Sequence, residues 1–257
     1  MKMRLVAAVL GMVLLSQAAV QPAKADANWD SYVDMGIELL ISFIDKAENG
    51  IDDIELLQLT QELRAALSGV KADLYAHVDE LAVADIKAQV RYTINNVGML
   101  NVASLRGSYV NSVAIAAANA REKLAVFGAD ANRDTVARAM IAEYQTLLVG
   151  QARVGMPPAY AEYKEALAHA IASMQPRCSE FLDPKLGSIT HSCDWNGRTV
   201  TGIQRMGTDG YAEVSYDGGV TWSQNTLDRG YINTKVMEQT AQELARRALL
   251  ELIEGGH

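Results

Sequence analysis

The sequence predicts a mainly α-helical protein: an elongated helical bundle that carries a small antiparallel β-meander and ends in a C-terminal helix. Two observations predict the bundle. The chain has no proline between Pro22 and Pro157, and apolar residues recur in that stretch at spacings of three and four. A third observation predicts the meander, because residues 178–230 are rich in Gly, Thr, Ser and Asp and show short alternating runs.

The first 25 residues have the features of a secretory signal peptide. Lys2 and Arg4 provide a positive start, and residues 5–15 form an apolar run that is too short to span a bilayer. Ala23-Lys24-Ala25 is a small-x-small cleavage signal, so we expect Asp26 to begin the mature chain. A cut seven residues earlier and an uncleaved membrane anchor are the alternatives.

Helices are predicted throughout residues 26–176, which we take as one bundle. The second predicted helix carries leucines and valines spaced as in a coiled-coil seam, and the third carries a stripe of alanines that permits close helix approach. The predicted helices cover residues 28–48, with Asn28 as the N-cap, 51–92, 104–127, 133–153, and the segment from Pro158 to the residue before Pro176.

Residues 177–230 are predicted to form the β-meander and residues 231–257 to contain the final helix. Four strands are expected, joined by Gly-containing turns, at residues 188–195, 199–205, 211–216 and 220–223. The final helix is expected from Thr234 to Ile253 with Asn233 as its N-cap, packed back on the bundle or on the meander.

The chain has two cysteines, Cys178 and Cys193, and both lie in the predicted mature part. An oxidising compartment favours a disulfide between them, which would stabilise the fold by about 3 kcal/mol in the chain-entropy account. A metal site is the weaker interpretation, because only His191 lies near the two cysteines in sequence and the ligand set is incomplete.

One segment carries a recognisable turn motif. Residues 215–222, with Ser215, Asp217, Gly219 and Trp222 at the key positions, match the pattern S-x-D-x-G-x-T-W. The segment resembles the Asp-box of sialidases and related β-propellers. That resemblance implies a structural hairpin turn in which Asp217 accepts backbone N–H bonds, Gly219 permits positive φ and Trp222 packs beneath. It implies no particular activity, because the motif occurs once and the chain has no space for a propeller of repeated blades. A turn that faces a ligand is the alternative to a purely structural one.

The histidines suggest three candidate sites, each with a simpler interpretation. His77 and His169 both have acidic neighbours on one helical face, but neither belongs to the Glu-x-x-His pairs of a di-metal bundle, so solvated faces are expected. His191 lies beside Ser192 and Asp194, yet neighbours in one short strand do not converge on a substrate as a catalytic triad must. We therefore predict no catalytic residue, no metal ligand and no cofactor.

Charge and motifs together favour a non-catalytic, exported interaction protein, located in the periplasm or the medium, that binds a protein or a glycan. The net charge of −8 becomes −11 once the three positive charges of the signal peptide are removed, which disfavours nucleic acid and anionic lipid. The alternatives are a secreted hydrolase with dispersed active-site residues and a membrane-active, pore-forming-like helical protein. Association with a membrane is not favoured.

Export makes a direct prediction about the N-terminus. Mass spectrometry of the protein recovered from its native envelope or medium should find Asp26 as the first residue, because the small-x-small site precedes it. Bulk protein that still begins at Met1 would contradict export by a cleaved signal peptide.

Overall fold

The computed structural model describes residues 84–206, 212–217, 220–223 and 226–255, together with the single positions Gln58, Gln61, Arg64 and Ser68. Those four positions are helical and exposed, and they alternate with the leucines of the predicted seam. The predicted signal peptide, the helix over residues 28–48 and the leucines and valines of the seam itself lie outside the described residues.

The described part of the bundle contains four α-helices, as predicted. They are α1 (Ala84–Asn96), which is followed by a 3₁₀ helix (Val97–Asn101), α2 (Ala103–Leu124), α3 (Asp130–Val154) and α4 (Tyr160–Ser173). Helix α3 is central: its buried side chains run along most of its length, and it packs on α1, α2 and α4. It ends at Gly155, which has a φ of 72°, a value that glycine adopts readily. The Gly155 N–H donates to the carbonyls of Ala152 and Gln151 and so closes the helix.

Five strands form one antiparallel sheet in chain order, where four were predicted. They are β1 (Arg177–Asp183), β2 (Ser188–Trp195), β3 (Arg198–Met206), β4 (Ala212–Tyr216) and β5 (Val220–Ser223). The unpredicted strand is β1, which forms an edge of the sheet. Its residues are almost all exposed, so it lacks the alternation of buried and exposed positions on which strand prediction depends.

A C-terminal helix is present, as predicted, but the prediction of one continuous helix from Thr234 to Ile253 is wrong, because the chain forms two helices there. Helix α5 (Arg229–Val236) is capped by Asp228, whose carboxylate accepts the Tyr231 N–H, and not by Asn233. Helix α6 (Ala241–Glu254) follows after a break at which Gln239 has a φ of 62°.

The break lets the C-terminal segment cover both the sheet and the bundle. Helix α5 packs on β2 and β3, whereas α6 packs on α4 and α3. The approach of α5 is close at Gly202, where a Cβ would lie 2.6 Å from Ile232 Cδ1 and 2.7 Å from Leu227 Cδ1. Buried side chains form one continuous cluster that extends from α1 through the bundle to the inner face of the sheet, including Trp195 and Val214.

Candidate functional site

The two cysteines form a disulfide across neighbouring strands, as predicted. Cys178 of β1 and Cys193 of β2 are directly opposite in the ladder, with Cα atoms 4.0 Å apart. Their environments differ. Cys178 is exposed to solvent, whereas Cys193 is fully buried in the core.

His191 lies beside this disulfide on the same face of the sheet, because it is two residues from Cys193 along β2. Its Nε2 is 3.5 Å from Cys193 Sγ, and its Nδ1 is 3.4 Å from a carboxylate oxygen of Glu180, its cross-strand partner. The Glu180 contact is close enough for an ion pair but lacks hydrogen-bond geometry.

Helix α5 completes the surroundings of the disulfide. Arg229 donates to the Glu180 carboxylate at 2.6 Å, and this bond holds the pKa of Glu180 below its usual value. One turn further on, Asn233 Oδ1 lies 3.8 Å from Cys178 Sγ. We refer to Cys178, Cys193, His191, Glu180 and Arg229 as the disulfide–histidine site.

This site brings together ligand atoms that a soft metal prefers, namely two sulfurs and an imidazole nitrogen. In Cys178, His191 and Cys193 these atoms all lie within 4.8 Å of one another, and no other such group occurs among the described residues. While the sulfurs are bonded to each other, only His191 retains a free ligand position. The chemistry available in the oxidised state is therefore that of a disulfide beside an imidazole.

His191, Ser192 and Asp194 do not form a catalytic triad, because they do not lie on one face of the sheet. Alternation along β2 places Ser192 and Asp194 on the face opposite His191. Ser192 Oγ lies 3.0 Å from the Thr201 hydroxyl, and Asp194 accepts from Arg177 at 2.7 Å.

The two other candidate histidines do not join this site. His169 is half-buried on α4, where its ring lies 3.5 Å from the Ser173 hydroxyl. The neighbouring Glu165 instead forms an ion pair with Arg121 at 3.7 Å. His77 lies outside the described residues.

The described residues of the Asp-box segment belong to β4 and β5, which pair with each other, and Asp217 connects β4 to β3. Its backbone N–H donates to the Thr201 carbonyl at 2.8 Å, and its carboxylate accepts the Thr201 N–H at 3.0 Å. Asp217 itself has a positive φ of 49°. Ser215 and Trp222 occupy the ladder opposite Thr221 and Val214, respectively. Gly219 lies outside the described residues, so its role remains a prediction.

A buried carboxyl group in the bundle was missed by the sequence analysis. Glu143 in the middle of α3 is only 1% exposed and accepts a hydrogen bond from the Thr93 hydroxyl of α1 at 2.9 Å. Burial raises the pKa of Glu143 to about 8. Tyr109 of α2 donates to the Thr93 carbonyl at 2.9 Å, so the cluster connects three helices. Nothing in the helical periodicity distinguishes this glutamate from an exposed one.

The surface also has an open groove of about 310 Å³ between α1 and α2. It is mostly apolar. It is lined by Ala88, Gln89, Tyr92, Ser112, Ile115 and Ala116.

Comparison with known proteins finds no family model, no curated protein and no solved structure that matches this chain. In the part of the chain that the structure describes, none of the helices combines the length and apolar character needed to cross a membrane.

The two bonds between Asp217 and Thr201 predict a cost for removing the carboxylate. Asp217→Ala should reduce the free energy of unfolding by about 1–3 kcal/mol, because it removes the charged acceptor of the Thr201 N–H and places alanine at positive φ. Asp217→Asn keeps an oxygen acceptor and tolerates this backbone conformation, so it should retain most of the stability. Urea denaturation curves of the two variants test this, and an unaltered midpoint for Asp217→Ala would contradict the assigned structural role.

The buried Glu143 predicts a pH dependence of stability. The folded chain keeps the proton up to about pH 8, whereas the unfolded chain releases it near the ordinary value of 4.5. Wild-type stability should therefore fall, relative to Glu143→Gln, as the pH rises between these values, by an amount on the order of a few kcal/mol. Urea denaturation at pH 5, 7 and 8.5 measures the difference. A difference that does not change with pH would show that Glu143 has no raised pKa.

Proposed function

We propose that the protein is an exported, non-catalytic binding protein whose edge strand β1 recognises an extended, apolar segment of a partner protein outside the cytoplasm. One observation carries this proposal: large apolar side chains are exposed along the open edge of the sheet. Phe181, Leu182 and Leu186 are 65%, 61% and 66% exposed.

An open edge strand is a template for another strand, because alternate residues direct backbone N–H and C=O groups away from the sheet. Among the described strands, β1 pairs with β2 alone. Many soluble proteins protect such an edge with lysine, proline or a bulge. In β1 the last half of the edge presents Phe181 and Leu182, between the charged Glu180 and Asp183, and this apolar pair favours a binding role.

The positions of these side chains suit the addition of a partner strand. Successive residues of a strand point to opposite faces, so Phe181 and Leu182 offer an apolar contact on each side of the edge. Leu186 follows in the β1–β2 turn. There the Asp183 carboxylate accepts the N–H groups of Lys185 and Leu186 at 2.9 and 3.3 Å and stabilises the turn. Backbone pairing would supply affinity, and the apolar contacts would supply preference for particular partner residues.

Charge and chemistry narrow the class of partner. The net charge of −8 disfavours nucleic acid and anionic membranes. A protein partner is preferred to a glycan, because strand pairing and aliphatic contacts are interactions that a polypeptide provides. The disulfide is compatible with a compartment outside the cytoplasm and supports the export part of the proposal.

Site-specific photo-crosslinking tests the proposal. A photoreactive phenylalanine analogue at position 181 should form a discrete adduct with a partner polypeptide in the native envelope or medium. The same analogue at Val126, which is 79% exposed on the bundle, provides the matched control and should not form that adduct. Equal adducts from both positions, or none from position 181, would contradict the proposal.

The exposed side chains can also be removed without disturbing the core. Phe181→Ser combined with Leu182→Ser should abolish recovery of the same partner, whereas Val126→Ser should not. Both variants should unfold within about 0.5 kcal/mol of wild type, because the side chains are exposed. Full recovery by the double variant would contradict the assignment of the binding surface.

A further inference from the structure

We propose that the Cys178–Cys193 disulfide is a thiol-exchange centre, in which Cys178 takes an incoming thiolate and His191 protonates the sulfur of Cys193 as it leaves. This exchange is stoichiometric, since the protein ends as a dithiol, and it does not depend on the proposed binding function.

The direction of attack follows from the unequal exposure of the two cysteines. Cys178 as a residue is exposed on the edge strand, so its sulfur is the more accessible of the two to a dissolved thiol. Cys193 is 0% exposed and lies in the core cluster, so its sulfur cannot be attacked directly. Exchange depends on which sulfur the nucleophile reaches.

The buried sulfur then needs a proton or a positive charge. A thiolate at Cys193 would form in apolar surroundings, where the charged form is disfavoured. His191 Nε2 lies 3.5 Å from that sulfur and is therefore the group placed to protonate it. Glu180 acts as a positioning residue. Its carboxylate lies 3.4 Å from His191 Nδ1 and pairs with the ring when both ring nitrogens carry a proton, which is the form whose Nε2–H can be donated to the sulfur.

Helix α5 holds the Glu180 carboxylate in place. Arg229 donates to its carboxylate at 2.6 Å, and that contact fixes Glu180 in front of the imidazole. The imidazole, carboxylate and guanidinium groups beside the sulfur are not needed for a purely structural disulfide. A structural disulfide needs only its two cysteines.

The fold is able to tolerate opening of this bond. The disulfide joins two strands that are already paired over all seven residues of β1. Arg177 also holds the start of β1, through ion pairs with Asp130 of α3 at 2.8 Å and Asp194 of β2 at 2.7 Å. Reduction would therefore leave the two sulfurs and His191 close together.

The exchange is balanced in two steps. An external thiolate bonds to Cys178 Sγ and the Cys178–Cys193 bond breaks, so that the electron pair goes to Cys193 Sγ, which takes a proton from His191. A second external thiolate then attacks the external sulfur of the mixed disulfide and releases Cys178 as a thiolate. The two external thiols become a disulfide, and the protein becomes a dithiol.

The rate of reduction tests the role of His191. Dithiothreitol should reduce the disulfide of folded wild-type protein at least ten times faster than that of His191→Gln, since protonation of the leaving group is lost. His169→Gln removes a histidine outside the site and should react at the wild-type rate. Equal rates for wild type and His191→Gln, with both proteins folded by circular dichroism, would overturn the proposal.

Mapping of the mixed disulfide tests the direction of attack without altering His191. In Cys193→Ser the remaining Cys178 should form an adduct with glutathione disulfide, detected by mass spectrometry of the native protein. In Cys178→Ser the buried Cys193 should form it only after denaturation. An adduct on native Cys193 at the rate of Cys178 would overturn the assignment of Cys178 as the attacked sulfur.

Discussion

The break between α5 and α6 is the constraint on which the described structure depends, because it allows one chain segment to bind two surfaces. Side chains of the bundle form hydrogen bonds to the backbone on both sides of the break. Arg138 of α3 donates to the Gln239 carbonyl at 2.6 Å, and the Asp134 carboxylate accepts the N–H of Ala241, the first residue of α6, at 2.6 Å. The break is also held from the sheet, since Arg198 of β3 donates to the Glu238 carbonyl at 3.0 Å. A residue with positive φ becomes tolerable when its neighbours are bound on both sides.

The position of α5 in turn determines the chemistry of the sheet. With α5 packed on Gly202, Arg229 reaches Glu180 and Asn233 reaches Cys178. On the inner face of the sheet, a charged pair therefore lies beside a histidine and a disulfide. Phe181 is exposed on the opposite face of the same edge strand. The binding surface and the exchange centre are thus adjacent features of β1, one formed by exposed apolar groups and the other by groups that α5 holds in place.

Much of the fold follows from patterns that a single sequence displays. The helices of the bundle are visible in apolar spacing and the absence of proline, and β2 and β5 have the bounds that alternation and turn residues predict. Strand β1 was missed because it has no buried face, and the break at Gln239 was missed because the bonds from Arg138 and Arg198 come from distant parts of the chain. The same limit applies to the site. The cysteine pair was predictable, but the contact between Glu180 and Arg229 needs the fold, as does the burial of Glu143.

If the C-terminal helices unite the sheet with the bundle, both should unfold together. Native-state hydrogen exchange at increasing urea concentration tests this most directly. Amides of the sheet at Cys193, Val200 and Val214 and amides of the bundle at Met140 and Leu167 belong to one buried cluster. We expect them to converge on one free energy of opening, as residues of a single cooperative unit do. Convergence of the sheet amides on a distinctly lower value than the bundle amides would contradict the account, because the sheet would then open by itself.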